Sequence, residues 1–214
     1  MRHNRGAMAS TRKSRATRPA AAPADVKEAC VAAAHAFIAE QGVERLSLRD
    51  VARRLGVSHQ APYKHFASRD DLLAEVIRRC FERFAAHLDA RPRREDAAKD
   101  LGSLGGAYLE FALANPLEYR LMFGTPWPAD ADHPALAAEA RRSFDILRGV
   151  LARRRPARRP ERTDLDALLV WSSMHGLASV MQGTLMTQLR LPPGVLAGAV
   201  EHIMKGVHAA LEAR

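Results

Sequence analysis

Between Leu46 and Leu73 the chain reads LSLRDVARRLGVSHQAPYKHFASRDDLL, a stretch rich in side chains able to hold an anion. Ser47 and Ser58 occupy helix-start positions, where backbone N–H groups point outward and suit a negative charge. Arg49, Lys64 and Arg69 supply positive charge, Tyr63 a hydroxyl on an apolar ring, and His59, Gln60 and Ala61 a mixed polar and apolar edge. This is chemistry of recognition, not of bond making. His3, His35, His59, His65, His87, His133, His175, His202 and His208 show no metal-ligand spacing with cysteines or carboxylates. There is no phosphate-binding glycine loop and no nucleophile motif. No metal and no organic cofactor is expected, and a helical enzyme is the least favoured reading.

The elements that must position these groups are helical. Apolar Val26, Cys30, Ala33 and Phe37 recur at i, i+4, i+7 and i+11 and predict a first helix ending at Gln41-Gly42. Ser47 with Asp50 three residues on predicts the start of a short helix that Gly56 stops. Ser58 caps a third short helix, and Ser68 with Asp71 opens a long one from Arg69 to about Ala90. The long helix buries Leu72, Leu73, Val76, Ile77, Cys80, Phe81 and Phe84. The second and third helices, joined through Gly56-Val57-Ser58, form a helix-turn-helix around Ala52, Val57, Tyr63 and Phe66, whose second helix fits the major groove of B-DNA. Pro62 should adjust its first turn without breaking it.

Further helices are expected over about 95–114, 117–123, 134–153, 164–189 and 193–212, separated by Pro-rich breaks. No alternating strand pattern persists, so the class is all-α. The arrangement is an N-terminal three-helix helix-turn-helix domain joined by a long helix to a C-terminal helical domain. The divisions are a disordered basic arm at 1–24, the helix-turn-helix domain at 25–75 and the second helical domain at 76–214. The uncharged run Ala167–Leu189 is long enough to span a bilayer. Its Ser172, Ser173, His175, Ser179 and Gln182 make it too polar for a lone span, so no membrane partner is expected.

Of 214 residues, 33 are Lys or Arg and 24 Asp or Glu, a formal charge of +9 that favours an anionic partner. The excess lies mainly in the basic arm and in the Arg153–Arg162 loop, while 25–75 is slightly acidic. The case for nucleic acid therefore rests on where Arg49, Lys64 and Arg69 sit. Two cysteines, Cys30 and Cys80, rule out a disulfide framework and favour a reducing, cytoplasmic setting.

The run Ala52-x3-Gly56-Val57-Ser58, then Tyr63-x-His65-Phe66, Arg69 and Leu72-Leu73, resembles the TetR family of bacterial transcriptional regulators over residues 25–75. The resemblance implies a homodimer reading a near-palindromic operator in double-stranded DNA. It places Ser47, Arg49 and Ser58 at the interface, with His59, Gln60 and Ala61 leading the recognition helix. Gln60 would pair with adenine and Ala61 pack on a thymine methyl, whereas Tyr63, Lys64 and Arg69 would hold phosphates. His65 and Phe66 read as structural.

Farther on, Trp171-x3-His175-Gly176 and Asn115-Pro116-Leu117-Glu118-Tyr119 are similar to one subclass of TetR regulatory domains. That resemblance assigns ligand binding, regulation and dimerisation to 76–214, with dimerisation through the last two helices and a small apolar or amphipathic effector among the middle ones. The candidate lining is Tyr108, Phe111, Met122, Phe123, Trp127, Phe144, Trp171, Met174 and His175, residue types that serve equally well as ordinary core. The favoured function is a repressor released by its effector. The alternative is a ligand-independent, nonspecific or architectural DNA binder that relies on the arm.

Overall fold

The computed structural model describes residues 23–129, 133–183, 188–192 and 194–213, so the expected arm at 1–24 lies outside them except for its last two residues. These already belong to α1 (Pro23–Gln41). The order continues with α2 (Leu48–Leu55), α3 (Arg69–Ala90), α4 (Ala97–Ala114), α5 (Pro116–Phe123), α6 (Pro134–Arg154), α7 (Pro160–Gln182) and α8 (Val195–Glu212). Among the described residues there is no strand.

Local chemistry sets most boundaries. Gly42 leaves α1 at φ 85°, a backbone angle that side-chain-bearing residues avoid, while its N–H still reaches the Ile38 carbonyl at 2.9 Å. The Ser47 hydroxyl accepts the Asp50 N–H at 3.1 Å to start α2. Gly56, at φ 67° and ψ 26°, ends it in the left-handed region. Ser68 and Asp71 form a full capping box at the head of α3. Every apolar residue expected to face inward from α3 is buried. Pro160 starts α7 four residues before its expected start, because proline is preorganised for the first helical position. Gly183 is extended and ends α7 short of the expected 189; residues 184–187 of that expected span lie outside those described.

The expected third helix is not an α-helix. Residues Pro62–Lys64 form a single 3-10 turn, preceded by a turn at His59–Ala61. An α-helix starting at Ser58 would need the residue-62 N–H to bond the Ser58 carbonyl, and proline has none. The Ser58 carbonyl takes the Ala61 N–H instead, at 3.0 Å, and the tighter winding continues with Lys64 N–H to Ala61 O at 3.3 Å. The DNA-binding unit thus has two α-helices and a 3-10 reading turn ahead of α3.

α1 packs on α2 and α3, and α6 runs along α3 from Asp71, near His133, to Asp89, near Arg142, with α5 also against α3. α4 and α7 close the far side, with α8 on α7. One apolar core runs through both regions, from Cys30 and Val51 to Phe84, Met174 and Leu211. The boundary expected at 75–76 therefore falls inside an unbroken helix that both regions share.

The arginine-rich loop is tied down, not merely solvated. Asp100, fully buried, accepts from Arg91 at 3.2 Å, from the Arg94 N–H at 3.0 Å and from Arg153. Burial pushes its carboxyl up, but these donors outweigh that and hold it below the ordinary range. Arg154 and Arg155 pair with Glu212 of α8, and Arg158 Nε lies 3.1 Å from buried Asp166.

Candidate nucleic-acid interface and effector cavity

The first site is the surface made by the start of α2 and the reading turn. Arg49, His59, Gln60 and Tyr63 line one shallow notch of about 400 Å³. Ser58 and Lys64 are exposed on the same short turn, and Ala61 is half-buried. Tyr63 is 46% exposed, too much for a member of the small core in which the sequence placed it, and available to a partner. That core is filled instead by Leu48, Val51, Ala52, Pro62 and Phe66.

Two expected contacts are engaged within the protein. The Ser47 hydroxyl donates to Asp50 Oδ2 at 2.6 Å while accepting the Asp50 N–H, so it serves the helix cap. Arg69 donates to the Val43 carbonyl at 2.8 Å and to Asp70 at 2.7 Å, tying the turn after α1 to the start of α3. The structure thus gathers Arg49, His59, Gln60 and Tyr63 around one notch, leaves Ser58 and Lys64 exposed nearby in the chain, and gives Ser47 and Arg69 scaffolding contacts.

The second site is a cavity of about 850 Å³ between α3, α4, α5, α6 and α7. Of the expected lining, Tyr108, Met122, Phe123, Trp127, Phe144, Trp171 and Met174 face it. Phe111 and His175 do not. Phe111 packs against α3 behind Phe84, with its ring 5.0 Å from that of Phe84 and 5.6 Å from that of His87. His175 sits one position beyond Met174, about 100° further round α7. Its Nδ1 lies 2.6 Å from the Tyr119 hydroxyl and 3.3 Å from that of Tyr108. Its ring stacks on Tyr119 at 5.5 Å.

This trio is a polar seam behind the cavity wall. Burial raises the Tyr108 phenol well above its usual range, with the neighbouring Tyr119 hydroxyl adding to the effect. Burial likewise raises Tyr119 and lowers His175, favouring the neutral imidazole.

Sequence reasoning missed the α3 wall of the cavity, Phe81, Phe84 and Leu88, and the opposing Leu101, Leu104 and Leu147. Their periodicity marks them as inward-facing and carries no sign of whether space or protein lies opposite. The mouth residues Arg141, Asp145, Arg148 and Asp164 were also missed.

Helix-turn-helix geometry on a shared long helix, with a hollow helical domain beyond it, defines a two-part regulator. Sequence models support that class: residues 31–76 match "Bacterial regulatory proteins, tetR family" and residues 101–206 match "Tetracyclin repressor-like, C-terminal domain". Together they span more than two thirds of the chain, which belongs to the TetR family of DNA-binding transcriptional regulators.

Among curated relatives, the HTH-type transcriptional regulator Rv1816 of Mycobacterium tuberculosis is 32% identical over 93 residues, 42% of this chain and 39% of its own length. The nucleoid occlusion factor SlmA of Haemophilus ducreyi is 29% identical over 86 residues, 40% of this chain and 43% of its own. The chain thus spans well under two thirds of either relative. Solved structures match farther. The crystal structure of the regulatory protein SCO4313 superposes with a TM-score of 0.71 at 27% identity, covering 86% of this chain and 96% of the other. A transcriptional regulator from Rhodococcus sp. RHA1 gives 0.61 at 25%, with the same coverages.

Proposed function

We propose that the protein is a homodimeric repressor that binds a near-palindromic operator and is released by a small apolar or amphipathic effector in the 850 Å³ cavity. The observation that carries this reading is that one helix borders both sites. α3 supplies Phe81, Phe84 and Leu88 to the cavity, and its capped start at Ser68 follows the reading turn directly. α5 adds a second link. Met122 and Phe123 line the cavity, while buried Glu118 accepts from Arg83 at 2.8 Å and lies 3.5 Å from His35 of α1. An effector that spreads α3 from α5 and α6 shifts the reading turn with it. Release requires only that the effector prefer the spacing that fits DNA less well.

Tyr63 and Lys64 hold phosphates, Arg49 a phosphate or a guanine edge, and Gln60 and Ala61 read bases. The reading turn is short, so useful affinity needs two copies about one helical turn apart. Leu165, Leu168 and Val180 on α7 and Val195 on α8 are exposed apolar side chains of the kind a dimer contact covers. Among the described residues no helix is long and apolar enough to cross a membrane, which agrees with a cytoplasmic protein associated with the nucleoid when bound.

Gel-shift assays with the DNA upstream of the protein's own gene test the reading. A salt-sensitive, sequence-selective complex is expected. A complex with no preference over random duplex would overturn it in favour of a nonspecific binder, and deletion of residues 1–24 would then abolish binding.

A further inference from the structure

We propose that the cavity selects a bulky, mostly apolar molecule bearing one anionic group, such as a carboxylate, with the charge at the mouth against Arg141. This rests on reading the cavity as the effector site and deepens that reading by naming the ligand's chemistry. At about 850 Å³ the space is in the size range of small-molecule sites, and aromatic rings from five helices form its wall.

The interior offers a ligand almost nothing to hydrogen-bond. The Tyr108 hydroxyl lies 3.0 Å from that of Tyr119 and also meets His175. Trp127 Nε1 donates to the Met122 carbonyl at 2.9 Å. The Ser143 hydroxyl donates to Glu139 O at 3.3 Å, and that of Thr125 to Arg120 O at 3.2 Å. A polar group in the body of a ligand would lose water there and regain few partners, chiefly the Trp171 indole and hydroxyls that are already bonded once. The body is therefore apolar.

Charge enters the lining only at the mouth, and most of it is already paired. Arg148 bridges Asp145 at 3.0 Å and Asp164 at 2.7 Å, so both carboxylates have a cation. Arg141, exposed on the same side of α6, makes no ion pair or side-chain hydrogen bond among the described residues, and it lines the cavity. Among the described residues Arg141 is thus the charged group of the lining without a partner, and it is the one a ligand can pair with. A guanidinium binds a carboxylate through two parallel N–H donors, which also fixes the ligand's orientation.

The chain has two tryptophans, and both Trp127 and Trp171 line the cavity, so intrinsic fluorescence reports occupancy directly. The test titrates the full chain with 1-pyrenebutyrate, 1-pyrenebutanol and 1-pyrenebutylamine, each a good acceptor for tryptophan emission. The carboxylate should bind about tenfold or more tighter than the alcohol, and the amine weakest. Arg141→Gln should bring the carboxylate to the level of the alcohol and leave the alcohol unchanged. Ala140→Phe, which fills the cavity from α6, should weaken all three. Equal affinities, a preference for the amine, no effect of Arg141→Gln, or no quenching by any probe would each overturn the proposal. A gel shift in the presence of each probe separates the two readings. Selective carboxylate binding that leaves DNA bound removes the effector role and keeps the ligand class, whereas release by all three does the reverse.

Discussion

The reading turn and the cavity share α3 but are opposite kinds of site. Arg49, His59, Gln60 and Tyr63 come from one short stretch of chain, stand exposed and are polar. The cavity draws on residues from Phe81 to Met174, is enclosed by apolar rings and keeps charge at its mouth. A surface that meets DNA needs donors in solvent and a rigid small base beneath them, and Leu48, Val51 and Phe66 supply that base. A cavity needs walls held apart, and long-range ties such as Asp100 with Arg91 and Arg153 hold them. α3 borders both sites, and the proposed release by an effector runs through it and through α5.

The largest way to break this comparison is Asp100→Ala. It leaves Arg91 buried without its carboxylate and should destabilise the protein by about 3–5 kcal/mol. Urea unfolding followed by tryptophan emission and by helical circular dichroism checks this. Coincident transitions would show that the shared core makes one cooperative unit, and separate ones that the reading unit stands apart.

Gln60→Ala sharpens the reading face. Preference at one base pair of each half-site should relax by about 1–3 kcal/mol, while Tyr63→Ala and Lys64→Ala weaken binding to all sequences. Gel shifts on an operator and its single-base variants distinguish these, and identical behaviour of Gln60→Ala and Lys64→Ala would remove the base-reading role. Gly56→Ala should destabilise by about 1 kcal/mol, through backbone strain alone, because nothing lies within 4 Å of the added methyl. Thermal unfolding measures it.

The smallest effect expected is on the polar seam. His175 is lowered from its ordinary 6.5 by burial, so the unfolded chain takes up the proton more readily than the folded one. Stability from this residue is complete above about 6.5 and falls as the pH drops toward the folded value. The melting temperature measured across this window should decline less in His175→Asn than in the parent protein.

Much of the fold was legible because it depends on neighbours within four positions. Ser47 with Asp50, Ser68 with Asp71, Gly42 and Gly56 mark helix ends, and the inward stripe of α3 is a matter of period. The same locality explains why Arg49, His59, Gln60 and Tyr63 stood out, being close in the chain, while the internal bonds of Ser47 and Arg69 did not. The 3-10 turn was less legible. Pro62 announces a missing donor, but whether the turn relaxes to α after it depends on how Phe66 docks against α1 and α3.

The cavity shows where reading by period stops. Met174 and His175 are adjacent in sequence, yet one faces the space and the other a tyrosine pair. Phe81 and Phe111 have the same character, and only the first lines the cavity. The arginines of 153–158 show in the sequence only as excess charge, whereas in the fold Asp100, Glu212 and Asp166 lie against them. The sequence by itself determined the all-α class, the capped helix starts at Ser47 and Ser68, the glycine ends at Gly42 and Gly56, and the family. Only the tertiary structure decided which apolar residues border empty space, which charges are paired and that Arg141 has no partner among the described residues. The reason is physical: caps and stripes are made within a few residues of chain, whereas a void and an ion pair exist only between elements that the fold brings together.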